Sequence, residues 1–341
     1  MLREFEQIFE QTGGNQNFAL IRSKGDTALF GRTTKAMKAQ WQVPDSRPLA
    51  DFAPTIILKA KDFATEITIH NAREQKMTRE HQISQENNPL NPGEAFALVK
   101  KLLNLNDLYK GENLVEVILL SRNTADTGLR IFNSIQHHGL DIKKAAFCGG
   151  NSPHVYAKSF KADLFLSTEL EDCKCSIENG VASARIMPSK KSLLDEKVLR
   201  VAFDGDSVLF SEESQKIYDQ YGLDAFNKNE KDLADMPLVG GPFKSFLIEL
   251  YKIQQIFSRT ECPIRIALVT ARSAPSHERV IKTLRDWNIR IDESLFLGGL
   301  EKKEFLKDFG ADIFFDDQLD NCLAASLEVP TGQVINFNTR I

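Results

Sequence analysis

The stretch "LRVAFDGDSVLFSEES", Leu199 to Ser214, places two carboxylates one residue apart at the end of an apolar run. Val201, Ala202 and Phe203 read as a buried strand that opens into a loop at Asp204-Gly205-Asp206. Carboxylates this close repel each other unless a cation or a proton lies between them, so the spacing asks for a metal ion. A turn that merely reverses the chain would use the same three residues. Other polar groups bear on the choice. "IALVT" ends in Thr270, "DIFFDD" ends in Asp316 and Asp317, and Lys302 follows Gly298-Gly299 near the start of a helix. In open parallel sheets ligands bind beyond the carboxyl ends of the strands, where these groups would meet. Carboxylates from two strands, a backbone carbonyl, waters and a phosphate are the hard oxygens that magnesium takes.

The elements that must position these groups are written twice in the chain. From Val117 and again from Ile266 the sequence runs in register without a gap: Ser121 meets Thr270, Gly149-Gly150 meet Gly298-Gly299, Asp163 meets Asp312, and Cys173 meets Cys322, each pair 149 apart. Each copy has an apolar strand ending in a hydroxyl residue, an amphipathic helix, a short strand before Gly-Gly, another helix and a final strand. Val280, Ile281 and Leu284 share one helical face, while "IFF" before Asp316 is apolar throughout, as a strand covered on both sides would be. Alternating strand and helix predicts right-handed crossovers and parallel sheets. The expectation is α/β: an extension over 1–50, a first domain over 51–190 and a second over 191–341. The joint lies in "MPSKKSLLDEK", and about 211–262 is inserted as a small helical cap.

Only the second copy is equipped for chemistry. In "TIILKAKDF", at an offset of 145 instead of 149, Lys59 and Lys61 stand where Asp204 and Asp206 do; at 149, Ser167 and Thr168 replace Asp316 and Asp317, and Pro153 falls opposite Lys302. The first copy then serves as a scaffold packed against the second, or its lysines and hydroxyls hold an anion.

Composition removes several function classes. A 341-residue chain with 42% hydrophobic residues has ample core for two domains. A net charge of −4, with no long basic block, lacks the footprint of a general nucleic-acid binder. No apolar run approaches a membrane span, and "MLREFEQIFEQTGG" lacks the basic-then-apolar order of a signal peptide, so a cytoplasmic protein is expected. Five cysteines fit reduced thiols, and Cys173-Lys-Cys175, without a second pair, reads as buried small hydrophobes.

The order Asp-x-Asp, Thr, Lys, Asp-Asp resembles the haloacid dehalogenase superfamily of phosphohydrolases and phosphotransferases. The resemblance implies Asp204 as nucleophile, Asp206 as acid/base, Thr270 and Lys302 as holders of the phosphoryl group, and Asp204, Asp206, Asp316 and Asp317 around Mg2+. It also implies haloacid-dehalogenase-like Rossmannoid domains, the second catalytic and the first degenerate. The longer strings "RVAFDGDSVLFSEES", "ECPIRIALVTARSAPSHERVIKTLR", "FFDDQ", "GGNSP" and "NPGEAFALVKKL" are similar to the cytosolic type I 5'-nucleotidases. That similarity implies magnesium-dependent removal of phosphate from nucleoside monophosphates, with a nucleoside diphosphate as a possible effector and a homo-oligomer as a possible assembly. Arg272, Phe210, Ser121 and Asn123 are the expected substrate contacts, Phe210 by stacking on a base. Two alternatives share the same core: a phosphatase of another small phosphomonoester such as a sugar phosphate, and a nucleotide-binding regulator with incidental catalysis.

Overall fold

In a computed structural model, which describes residues 34–40, 83–109, 111, 113–189 and 197–335, the chain divides into two units, 1–85 and 86–341. Helix α1, Thr34–Gln40, belongs to the first unit; Lys59 and Lys61 lie outside the described residues. In the second unit the duplication read from the sequence recurs, each described element of the first half having a counterpart in the second. The first half holds α2 (Phe96–Asp107), β1 (Ile118–Ser121), α3 (Ala125–His137), β2 (Lys144–Phe147), α4 (Val155–Ser159), β3 (Leu164–Ser167), α5 (Leu170–Glu178) and β4 (Ala182–Ile186). The second half opens with β5 (Leu199–Phe203) and α6 (Glu213–Asp232), then α7 (Lys244–Gln254), β6 (Ile264–Thr270), α8 (His277–Asp286), β7 (Glu293–Phe296), α9 (Lys303–Phe309), β8 (Ile313–Asp316), α10 (Leu319–Ser326) and β9 (Thr331–Val334). β2 and β7, and likewise β3 and β8, begin and end 149 positions apart.

Two tandem sheets were expected, and the described strands are arranged differently. β1 and β2 form a parallel pair, whereas β3-β4-β9-β8-β5-β6-β7 is one sheet that runs across the expected boundary at 190. Every pairing in it is parallel except β4 with β9, which is antiparallel. The register there is reciprocal: Ala184 faces Val334 and Arg185 faces Gln333, and Val334 and Gln333 are the duplicates of Arg185 and Ala184. That is the geometry of a two-fold interface between like subunits, realised inside one chain. Gly332 allows the close approach, since a Cβ there would stand 3.0 Å from that of Ala184 and 2.9 Å from the Phe315 ring.

The halves also exchange helices. Lys101 on α2 reaches under the second half, donating to Asp312 Oδ1 at 2.7 Å and to the Val198 carbonyl at 2.9 Å, while Asp312 Oδ2 accepts the Arg200 N–H. Asp163, the duplicate of Asp312, has its carboxyl pushed up by burial and by the nearby charge of Glu249 on α7. Lys101 and Asp312 are both buried, so Lys101→Met should destabilise the fold by about 3–5 kcal/mol by leaving a buried carboxylate without its cation. Urea unfolding measures this, and adding Asp312→Leu should recover most of the loss.

One face of the sheet is covered by α2, α7 and α8, whose Leu98, Leu247, Leu250, Val280 and Leu284 meet Val201, Phe203 and Phe315. The inserted cap is smaller than expected. Phe246, Leu247 and Leu250 of α7 belong to this core, so α7 is the crossover helix between β5 and β6. What is left of the cap is α6 and the loop after it, and α6 is broken at Gly222, whose φ of 79° is left-handed. Among the described residues no helix is long and apolar enough to cross a membrane.

Candidate active site

Strand β5 delivers Asp204 at its carboxyl end, where its N–H donates to the Phe315 carbonyl at 2.8 Å. Gly205 follows because β6 ends against it: a Cβ would lie 3.1 Å from Thr270 Oγ1. Thr270 is buried, and its Oγ1 accepts the Arg272 N–H at 3.2 Å. β8 delivers Asp316 and Asp317 beside Asp204, and oxygens of these three carboxylates lie within 4.8 Å of one another. Lys302, at the start of α9, bridges the group, with Nζ 2.8 Å from Asp204 Oδ1 and 2.6 Å from Asp316 Oδ2. Asp316 also accepts the Gln318 N–H at 2.8 Å and the Asn321 amide at 3.1 Å, which fixes its orientation.

One lysine does not balance three carboxylates out of water. Burial pushes Asp204 up to about 7, against the opposing pull of Lys302 and with help from the Asp316 charge. Burial, Asp204 and Asp316 push Asp317 up to about 8. A site that holds its carboxyls so reluctantly ionised, with only oxygen donors, suits a hard divalent cation. Both groups release protons near 3.8 when unfolded. Their contribution to stability is therefore complete below that value and lost as pH rises through about 7 and 8. Metal-free protein should accordingly melt at a lower temperature at pH 8.5 than at pH 6, with magnesium raising the midpoint more at the higher pH. A magnesium effect that is independent of pH would contradict this placement.

Of the residues expected here, Asp204, Thr270, Lys302, Asp316 and Asp317 are brought together. Asp206 is not a fourth carboxylate of the cluster. It turns to Arg272, which donates to its two oxygens at 2.7 and 2.6 Å. Arg272, expected at the substrate, is buried and also bonds Glu230. Phe210 is fully buried against Trp287, with ring centroids 5.5 Å apart, so it has no face to offer a base. Ser121 and Asn123 lie at the end of β1, Ser121 Oγ accepting the Asn123 N–H and Asn123 O accepting the Gly149 N–H. At that edge of the first half Arg122 forks onto Asp172, with Ser152 against the same carboxylate. Cys173 is buried and its thiol is pushed up to about 11 by burial, while Cys175 is half-buried. Sequence reasoning missed Glu230 and Arg279. In the sequence both stand among polar residues of helical stretches, and nothing in spacing marks them.

A family model described as 5'-nucleotidase matches residues 60–340. The chain is 41% identical over 251 residues to Cytosolic 5'-nucleotidase 1B of Homo sapiens, an alignment covering 70% of this chain and 41% of that protein. The chain thus spans less than half the length of that relative.

Proposed function

The chain belongs to the cytosolic type I 5'-nucleotidase family, and on that premise we propose that it hydrolyses nucleoside 5'-monophosphates to nucleoside and phosphate through a phosphorylated Asp204. The observation that carries this reading is Asp204 itself, held at the end of β5 with one oxygen on Lys302 and beside Asp316 and Asp317. An Asp204 oxygen attacks phosphorus in line, forming an acyl phosphate as the ester P–O bond breaks. Lys302 and the Thr270 hydroxyl offset charge on the non-bridging oxygens. Asp206 gives a proton to the departing 5'-oxygen, and it then takes one from the water that hydrolyses the acyl phosphate, a role typically worth about 10²–10⁴-fold. Magnesium, held by Asp204, Asp316 and Asp317, would neutralise phosphoryl charge. The first half acts as a scaffold, a role supported by the exchanged helices and the shared β4–β9 pairing.

Purified protein given magnesium and a panel of phosphomonoesters tests the proposal. Phosphate release from nucleoside 5'-monophosphates should exceed release from sugar phosphates, should stop with EDTA and should return with magnesium. Preference for a sugar phosphate, or nucleotide binding without release, would overturn it.

A further inference from the structure

One buried carboxylate has no part in this chemistry. Glu230, on the second arm of α6, is fully buried. Arg272 Nη1 donates to its Oε2; Arg279 Nη1 at 2.9 Å and Ser214 Oγ at 2.8 Å donate to its Oε1. The remaining nitrogens of Arg272, Nε and Nη2, hold the two oxygens of Asp206. The guanidinium is therefore shared between an active-site carboxylate 66 positions away in sequence and a cap carboxylate 42 positions away. Phe226 of the same helix lies against it, with the ring centroid 5.1 Å from Cζ. Arg279, on α8, ties down the Met236 carbonyl at 2.8 Å as well.

In the form in which Asp206 serves as base, two arginines and two carboxylates leave the buried network electrically balanced, which is the condition under which such a network is tolerable out of water. Pinning α6 to the core would need only Glu230 and Arg279. The second arginine adds a rigid, planar connection from the cap to Asp206, with both nitrogens of one edge engaged so that the carboxylate cannot rotate.

We propose that Glu230 is a positioning residue: by fixing Arg272 it aims the Asp206 carboxylate, so that seating of α6 and competence of the acid/base group come together. This rests on the role given to Asp206 above. Without the Glu230 charge the Arg272 side chain loses one of its two anchors, and Asp206 is held by a group that can itself swing.

The test is Glu230→Gln, which keeps the shape, with steady-state and rapid-quench kinetics on a nucleoside 5'-monophosphate and on p-nitrophenyl phosphate. With the nucleotide, kcat should fall about 10- to 100-fold while KM stays nearly constant, as expected for misplacement of a group that acts only in the chemical steps. Nitrophenolate leaves without a proton. Transfer to Asp204 should then stay fast while hydrolysis of the acyl phosphate is slow, giving a burst of one equivalent of nitrophenol and phosphate trapped on the enzyme. Equal losses on both substrates with no burst, a change in KM alone, or wild-type behaviour would overturn the proposal. Should Glu230→Gln not fold, Ser214→Ala loosens the same carboxylate by one hydrogen bond and should show the same pattern at several-fold; absence of the pattern there overturns the proposal too. Wild-type protein inactive on both substrates would instead defeat the nucleotidase reading.

Discussion

Asp204→Asn should lower phosphate release by on the order of 10⁴-fold or more without unfolding the protein. The amide oxygen can still accept from Lys302, and the amide is the same size as the carboxylate, so β5, β6 and β8 need not move. What is lost, on the proposed mechanism, is the nucleophile, because an amide oxygen does not form a stable bond to phosphorus that water can later break. The fold should gain slightly. Burial already pushes the Asp204 carboxyl up to about 7, so the wild-type chain bears a cost for an ionised group there that Asn does not. In metal-free buffer at pH 8 the variant should melt at or above the wild-type temperature, whereas its response to magnesium should weaken with one carboxylate fewer. Circular dichroism, thermal melts with and without magnesium, and phosphate release measure the three effects. Release within tenfold of wild type would remove the phosphorylated-aspartate mechanism.

The site was legible in sequence where it depends on strand ends, because β5, β6 and β8 are short apolar runs whose last residues are fixed by the pleat. The placement of Asp204, Thr270, Asp316 and Asp317 at one edge followed from that, while the roles expected of them came from the family resemblance, and the constant offset gave β2 and β3 from β7 and β8. Contacts between distant segments were not legible. The bonds from Arg272 to Asp206 and Glu230 depend on how α6 folds back, and no local pattern encodes that. The assignment of α7 to the cap could have been avoided. "KSFLIELYKIQ" lies 149 positions after the start of α2 to within one residue, with Leu247 matching Leu98, which marks it as part of the repeat. The union of the halves through β4 and β9 is a matter of edge pairing. Each strand alone reads only as the last of its own copy, and nothing in "ASARI" or "TGQV" names its partner.

Lys302→Met should separate two roles that one side chain now fills. In metal-free protein Lys302 is the cation between Asp204 and Asp316, both buried. Removing one partner of such a group costs about 3–5 kcal/mol, since the remaining charges face each other out of water. Asp204 and Asp317, already pushed up by burial, would hold protons more tightly still, so the loss should be larger at pH 8 than at pH 6. Magnesium supplies the missing positive charge, and the rise in melting temperature on adding it should exceed the wild-type rise. Turnover should not follow. On the proposed mechanism the ammonium also faces the transferring phosphoryl group, where loss of one charged donor costs at least about 10²–10³-fold, and a methionine returns none of that with the metal bound. A variant restored in stability by magnesium yet still slow would show that the lysine is counter-ion and phosphoryl holder in turn. Recovery of turnover along with stability would reduce Lys302 to assembling the metal site. A metal-free melting temperature equal to wild type would mean that the site does not need the lysine as its counter-ion.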